Sequence, residues 1–271
     1  MVKIIINADD CGYNPEVNEA INHALSVGAI SSTTIMANSQ YLDEVHRMAE
    51  RHPKASFGIH LNLTEGPSLT NSPVFRQRGI TDENGCFIHG NSKRCPFPDD
   101  LLSKAILEEW DAQMDLLINK EHFAISHVDG HHHCHSWMGL EDILVSLMLK
   151  YGINKTRNTS YAPAQTVVDS IKKSFLCGLE PIGRRIPRLQ RFVYYYTFNK
   201  VLIKAHIKTT KYFGAYEELF PILVNNKLKD STIELMCHPG LKRYNDEYMA
   251  ILKNVNEFDD SRLTLISYKE I

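Results

Sequence analysis

Apolar positions along this chain follow two alternating rhythms. Residues 2–6 form a β-branched run, the pattern of a strand buried on both faces. The run stops at Asn7-Ala8-Asp9-Asp10, and Gly12 allows a turn. Asn14-Pro15 then reads as an N-cap with proline at the first helical position. Val17, Ala20, Ile21, Ala24, Leu25 and Val27 set one stripe at helical spacing, and Gly28 ends it. The strand–turn–helix unit repeats with a β-like run over 32–37 and a helix over 41–51. A third strand over 55–63 ends at Thr64-Glu65-Gly66, and period two puts His60 and Asn62 on one side of it.

Residues 66–98 lack periodicity and predict a long loop, of the kind that flanks a binding site. The spacing predicts a helix over 99–120, and an apolar lead-in over 123–125 reaches Ser-His-Val-Asp-Gly-His-His-His-Cys-His at 126–135. Alternation puts His127 and Asp129 on one side of an extended segment. Gly130 breaks it, and His131, His133 and His135 alternate again. A helix over 140–151 follows, then a short strand over 153–158 carrying Arg157. Residues 160–230, dense in Lys, Arg and Tyr, predict mostly helices with the basic residues on solvated faces. Strands over 231–237, ending at His238-Pro239-Gly240, and over 263–266 complete the pattern.

Alternating strands and helices imply an α/β fold with a parallel sheet and right-handed crossovers. No linker or composition break divides the chain, so one domain over 1–271 is expected. Asp9, Asp10, His60, Asn62, His127, Asp129, His131, Arg157 and His238 all fall at or just beyond the C-terminal end of a predicted strand. In a closed parallel barrel that rim gathers such residues into one bowl. Imidazoles and carboxylates there suit a divalent ion. Two adjacent carboxylates after a buried strand also require a cation or hydrogen bonds to offset their repulsion.

Composition narrows the picture. Hydrophobic content of 43% and charged content of 23% are ordinary for a globular protein, and a net charge of −2 carries no nucleic-acid footprint. No apolar run approaches the roughly 20 residues of a membrane span. The opening residues read as a mature first strand in a cytoplasmic protein. The six cysteines form no Cys-x-x-Cys pair. Cys11, Cys134 and Cys237 read as small buried hydrophobes beside the site rather than thiolate ligands.

Four stretches carry a resemblance. Asn7-Ala8-Asp9-Asp10-Cys11-Gly12, Gly58-Ile59-His60-Leu61-Asn62-Leu63-Thr64, His127-Val128-Asp129-Gly130-His131-His132-His133-Cys134-His135 and Glu234-Leu235-Met236-Cys237-His238-Pro239 resemble, in order, the motifs of YdjC-like carbohydrate deacetylases. Cys11 replaces an aromatic residue of that pattern, and residues 160–230 match none of it. The resemblance implies a distorted, TIM-like (β/α) barrel and a homodimer. It implies removal of acetyl groups from N-acetylated amino sugars or short chito-oligosaccharides. It also implies a divalent cation, Mg2+, held by Asp10, His60 and His131. Two imidazoles would suit Zn2+ or another transition metal as well. Asp9 is then the general base and His238 the general acid. Asn62, Asp129 and Arg157 are expected to bind substrate or to orient the ligands. The competing readings are a metal-dependent sugar or phosphosugar isomerase or lyase on the same barrel, and a non-catalytic metal-bound sugar sensor.

Overall fold

The structure is a computed structural model that describes residues 2–159, 198–224, 231–255 and 263–271. Seven strands make one sheet: β1 (Val2–Cys11), β2 (Ser32–Ile35), β3 (Ser56–Leu61), β4 (Ile125–Gly130), β5 (Tyr212–Ala215), β6 (Ser231–Cys237) and β7 (Leu263–Leu265). Their order is β4-β3-β2-β1-β6-β5, and every pairing is parallel. The strands alternate with helices α1 (Pro15–Ser26), α2 (Leu42–Arg51), α3 (Pro73–Gln77), α4 (Asp100–Asp115), α5 (Glu141–Lys150), α6 (Tyr216–Val224) and α7 (Asn245–Lys253).

The barrel is distorted at two places. First, β1 forks. It pairs β6 along Val2–Ala8 on one side, while on the other β7 takes Val2, Lys3 and Ile4 and β2 takes Asn7, Ala8 and Cys11. Second, β4 and β5 do not pair. Single bridges Val128–Thr156 and Lys155–Lys208 span the gap instead of the short strand expected over 153–158.

Period two sorts β1 into two faces. Ile4, Ile6 and Ala8 join the main core with Val17, Ile21 and Trp110 from the helices. Ile5 turns the other way and packs on Ile266 and Tyr268. Asn7 and Asp9 continue that second face toward the C-terminal rim. The strand runs past the expected stop at residue 6 because its polar side chains find partners within the sheet. Asn7 donates to Thr34 Oγ1 at 3.2 Å and Asp9 Oδ1 at 2.9 Å, and accepts from Ser32 Oγ at 2.6 Å.

The long loop holds α3 and a short 3-10 turn, Asn91–Lys93. Buried Glu109 of α4 grips it, accepting from the backbone N–H of Leu69 and Thr70 and from the hydroxyls of Ser68 and Thr70. In the basic stretch, residues 198–204 and α6 are helical, but β5 lies there too. The helices expected over residues 160–197, with their arginines, lie outside the described residues. Among the described residues no helix is long and apolar enough to cross a membrane.

Candidate metal centre and its carboxylate neighbour

The bowl begins with an irregularity in β1. The register to β2 shifts between Ala8 and Cys11, and Asp10 adopts φ +67. A non-glycine residue in that region is strained by about 1–3 kcal/mol, and such strain collects at functional sites. The distortion brings two neighbouring carboxylates onto one rim, where a regular strand would point them apart.

Asp10 faces imidazoles. Its Oδ1 lies 2.7 Å from His131 Nδ1 and 3.2 Å from His60 Nε2. The other nitrogen of His60, Nδ1, is 2.6 Å from Asp129 Oδ1. A carboxylate only accepts, so Nδ1 carries a proton toward Asp129, and in the metal-free state Nε2 carries a second one toward Asp10, the one a metal ion would displace. One ligand atom from each of Asp10, His60 and His131 lies within 4.8 Å of the others.

Asp9 faces a guanidinium. Arg157 donates from Nη2 to Asp9 Oδ1 at 2.6 Å and from Nη1 to Oδ2 at 2.8 Å. The same Nη2 lies 2.8 Å from Asp129 Oδ2, and Nε donates to Glu234 Oε1 at 2.7 Å. Tyr268 donates its hydroxyl to the other oxygen of Glu234. Arg157, Asp129 and Glu234 are fully buried, and Asp9 nearly so. His238 completes this side, with Nε2 4.0 Å from Asp9 Oδ2. Its ring stacks on Tyr244, and its backbone N–H donates to Glu247 Oε2 at 2.7 Å.

Titration behaviour follows from these partners. Burial alone would raise Asp9, but Arg157 outweighs it and holds the carboxyl well below the usual range. Burial opposes charge on His60 and His131. The carboxylates around them prevail, pushing His60 up to about 10, chiefly through Asp129, and His131 up to about 9, chiefly through Asp10. Burial lowers His238, with Asp9 and Asp10 pulling the other way. Burial raises Glu234 to about 7 against Arg157, and raises Glu247 to about 7. It also pushes the Cys11 thiol up to about 12 and those of Cys134 and Cys237 further, which keeps them as thiols.

These facts test the fit of a divalent ion. Asp9, Asp10 and Asp129 share the buried rim with a single guanidinium. Glu234, raised to about 7, shares that guanidinium too, so the balance needs at least two more positive charges. In the metal-free state the protons of His60 and His131 supply them, and a divalent ion replaces both. Donors about 2.1 Å from one tetrahedral ion sit about 3.4 Å apart, so the hydrogen-bonded contacts of 2.7 and 3.2 Å need to open only slightly to admit one. The Asp/His cluster is thus a divalent-metal site in its donors, spacing and charge. Asp9, His60 and Asp129 also approach within ligand range, but Arg157 occupies both of those carboxylates.

The histidine-rich stretch does not alternate as expected after Gly130. It forms a 3-10 turn, His131–Ser136, with His132 and His133 at φ +51 and +56. The left-handed pair fans the rings apart. His131 meets Asp10, His132 Nδ1 reaches Thr64 Oγ1 at 3.0 Å, His133 meets Phe213 edge-on, and His135 lies against Phe198. His127 packs flat on Tyr268, with ring centroids 3.7 Å apart. A Cβ on Gly58 would stand 2.5 Å from the His127 ring, so that strand passes the imidazole only as glycine. Asn62 is buried and organises the turn after β3. Its Oδ1 accepts from the backbone N–H of Thr64 and Glu65, and its Nδ2 donates to Glu65 O.

Sequence reasoning left Glu65, Glu234, Glu247 and Tyr268 without roles. Glu65 Oε2 lies 3.6 Å from His131 Nε2. Glu234 had a readable signal, since a lone charge between Ile233 and Leu235 must be paired if its strand is buried. Glu247 and Tyr268 carried none, because only packing brings them to the site.

Residues 3–264 match the family described as YdjC-like protein. A carbohydrate deacetylase of Oceanobacillus iheyensis is 31% identical over 56% of this chain, though that alignment spans only 63% of the relative. One from Halalkalibacterium halodurans is 27% identical over 97% of this chain and 92% of its own length. Among solved structures, a protein of Enterococcus faecalis V583 titled for cellobiose-phosphate cleavage superposes with a TM-score of 0.68. It is 21% identical, over 99% of this chain and 98% of that one, a likeness of fold.

Proposed function

The chain belongs to the YdjC-like protein family, and on that premise we propose that it is a metal-dependent hydrolase that removes acetyl groups from N-acetylated amino sugars or short chito-oligosaccharides. One observation carries the reading. Neighbouring aspartates are given opposite surroundings, Asp10 among imidazoles and Asp9 on a guanidinium. A site that only binds does not need the second carboxylate. The curated relatives' description as carbohydrate deacetylases supports the substrate class.

Asp10, His60 and His131 would hold the ion. When bound, a divalent ion polarises an amide carbonyl and lowers the pKa of water. Asp129 fixes the His60 tautomer, keeping Nε2 aimed at the site. Asp9 is the general base. Its Oδ1 accepts from both Arg157 and Asn7 while Oδ2 accepts from Arg157 alone, so Oδ2, on the His238 side, keeps a lone pair to receive the proton. Arg157 keeps Asp9 ionised and oriented at some loss of basicity. His238 Nε2 gives a proton to the leaving amine. Burial keeps that ring neutral at rest, so it first takes up the proton that Asp9 Oδ2, 4.0 Å away, has received from water, and then passes it to the amine.

Two imidazole donors favour zinc, cobalt or nickel, whereas the resemblance implies magnesium. Metal analysis of protein purified without chelators or nickel resin decides between them. The activity test is acetate release from N-acetylglucosamine and its short oligomers, before and after chelation. Release that stops on chelation and returns with metal is expected. An altered sugar without acetate would establish the isomerase or lyase reading instead, and binding without turnover the sensor.

A further inference from the structure

Glu65, His89 and His132 form a second convergence, separate from the residues assigned above. One ligand atom from each lies within 4.8 Å of the others. They come from three segments: the turn after β3, the long loop, and the left-handed histidine turn. Glu65 Oε1 is 3.8 Å from His89 Nδ1, too far for a hydrogen bond. The His89 and His132 rings meet edge-on at 5.4 Å.

Proton accounting defines which atoms are free. The Thr64 hydroxyl donates to Asn62 Oδ1 at 3.2 Å. It therefore accepts from His132 Nδ1 at 3.0 Å. That leaves His132 Nε2 with its lone pair. Beside it, His131 Nε2 is buried without a hydrogen-bond partner and faces Glu65 Oε2 at 3.6 Å. The Glu65 carboxylate thus stands between the two clusters, with one oxygen toward each.

We propose that Glu65, His89 and His132 form a second metal site at the mouth of the bowl, one that takes an imidazole-preferring transition metal such as zinc or cobalt. One carboxylate and two imidazoles match those ions better than magnesium, which prefers oxygen donors. Three protein donors leave open positions for water. The His89 side chain is 78% exposed, so this site exchanges its ion more readily than the buried one.

The test uses the full, untagged chain, stripped of metal and titrated with Co2+ and then Zn2+. Bound metal is counted after gel filtration, and the cobalt absorption is followed in parallel. The wild type should bind two equivalents. His89→Ala, at an exposed position, should bind one. His132→Asn should also bind one, and asparagine tolerates the left-handed backbone found there. Asp10→Asn should lose the other equivalent and keep this one. Millimolar Mg2+ should not displace it. A wild type binding a single equivalent, lost in Asp10→Asn and kept in His89→Ala, would overturn the second site and leave the first intact. Two equivalents that survive both His89→Ala and His132→Asn would overturn it as well.

Discussion

Asp9 and Asp10 are neighbours in sequence and opposites in surroundings. The Asp9 side is complete in hydrogen bonds: Arg157 meets Asp9, Asp129 and Glu234, and nearly every N–H of the guanidinium has a carboxylate oxygen. The Asp10 side is charge-incomplete, closed only by protons on His60 and His131 or by a cation. Asp129 joins them, one oxygen to each. The difference teaches that a strained residue in one strand can divide a carboxylate pair into one held by a guanidinium and one left facing imidazoles.

The largest expected effect comes from exchanging the two carboxylates one at a time. Asp9→Asn should lower turnover by roughly 10²–10⁴ with metal content unchanged. Asp10→Asn should lose metal first, and excess metal should partly restore its activity. Metal titration of both variants checks this, and rescue of Asp9→Asn by added metal would reverse the roles.

Next is Arg157→Met, which removes the guanidinium that Asp9, Asp129 and Glu234 share. Breaking a buried ion pair from one side costs about 3–5 kcal/mol. Urea unfolding should show a loss of that order. A loss below about 1 kcal/mol would mean that the guanidinium does not hold these carboxylates in solution.

Asp129→Asn tests the joint between the two sides. The amide no longer fixes the His60 tautomer, so metal affinity should fall about 10–100-fold. Competition against a chromophoric chelator measures it. Unchanged affinity would separate Asp129 from the metal side and leave it to Arg157 alone.

The smallest effect is a pH dependence carried mainly by the Asp10 side. His60 and His131 are raised from 6.5 to about 10 and about 9 in the metal-free fold. The stability they contribute is fully present below pH 6.5 and is lost as pH rises through 9 and 10. Metal-free protein should therefore unfold at lower urea at pH 9 than at pH 7, and metal addition at pH 7 should release protons. The lowered pKa of Asp9 lies outside this window, whereas Glu234 and Glu247, raised to about 7, lose their remaining protons at its lower edge and add to the fall there. Calorimetry in buffers of different ionisation enthalpy reads the proton release directly.

Much of the fold was legible because its signals are local. The β-branched run of β1, the Asn14-Pro15 cap and the stripe through Val17, Ile21 and Leu25 act within a few residues of themselves, and observed α1 and β6 follow the pattern closely. Parallel alternation then placed Asp10, His60 and His131 on one rim, as the structure does. The short β5 was missed because Tyr-Phe-Gly-Ala lacks period-two polarity, being held by pairing to β6.

What the sequence by itself determined is the inventory: which strands carry polar ends, and that carboxylates and imidazoles share one rim. Only the tertiary structure decided how they are partnered. Aspartate and histidine enter the left-handed region more readily than most residues, but it is packing that places those turns at Asp10, His132 and His133. Arg157 reaches Asp9 across 148 positions of chain, and Tyr268 reaches Glu234 across 34. Such pairings exist because burial makes an uncompensated charge intolerable, and which charges share a buried space is a property of the closed barrel rather than of any segment.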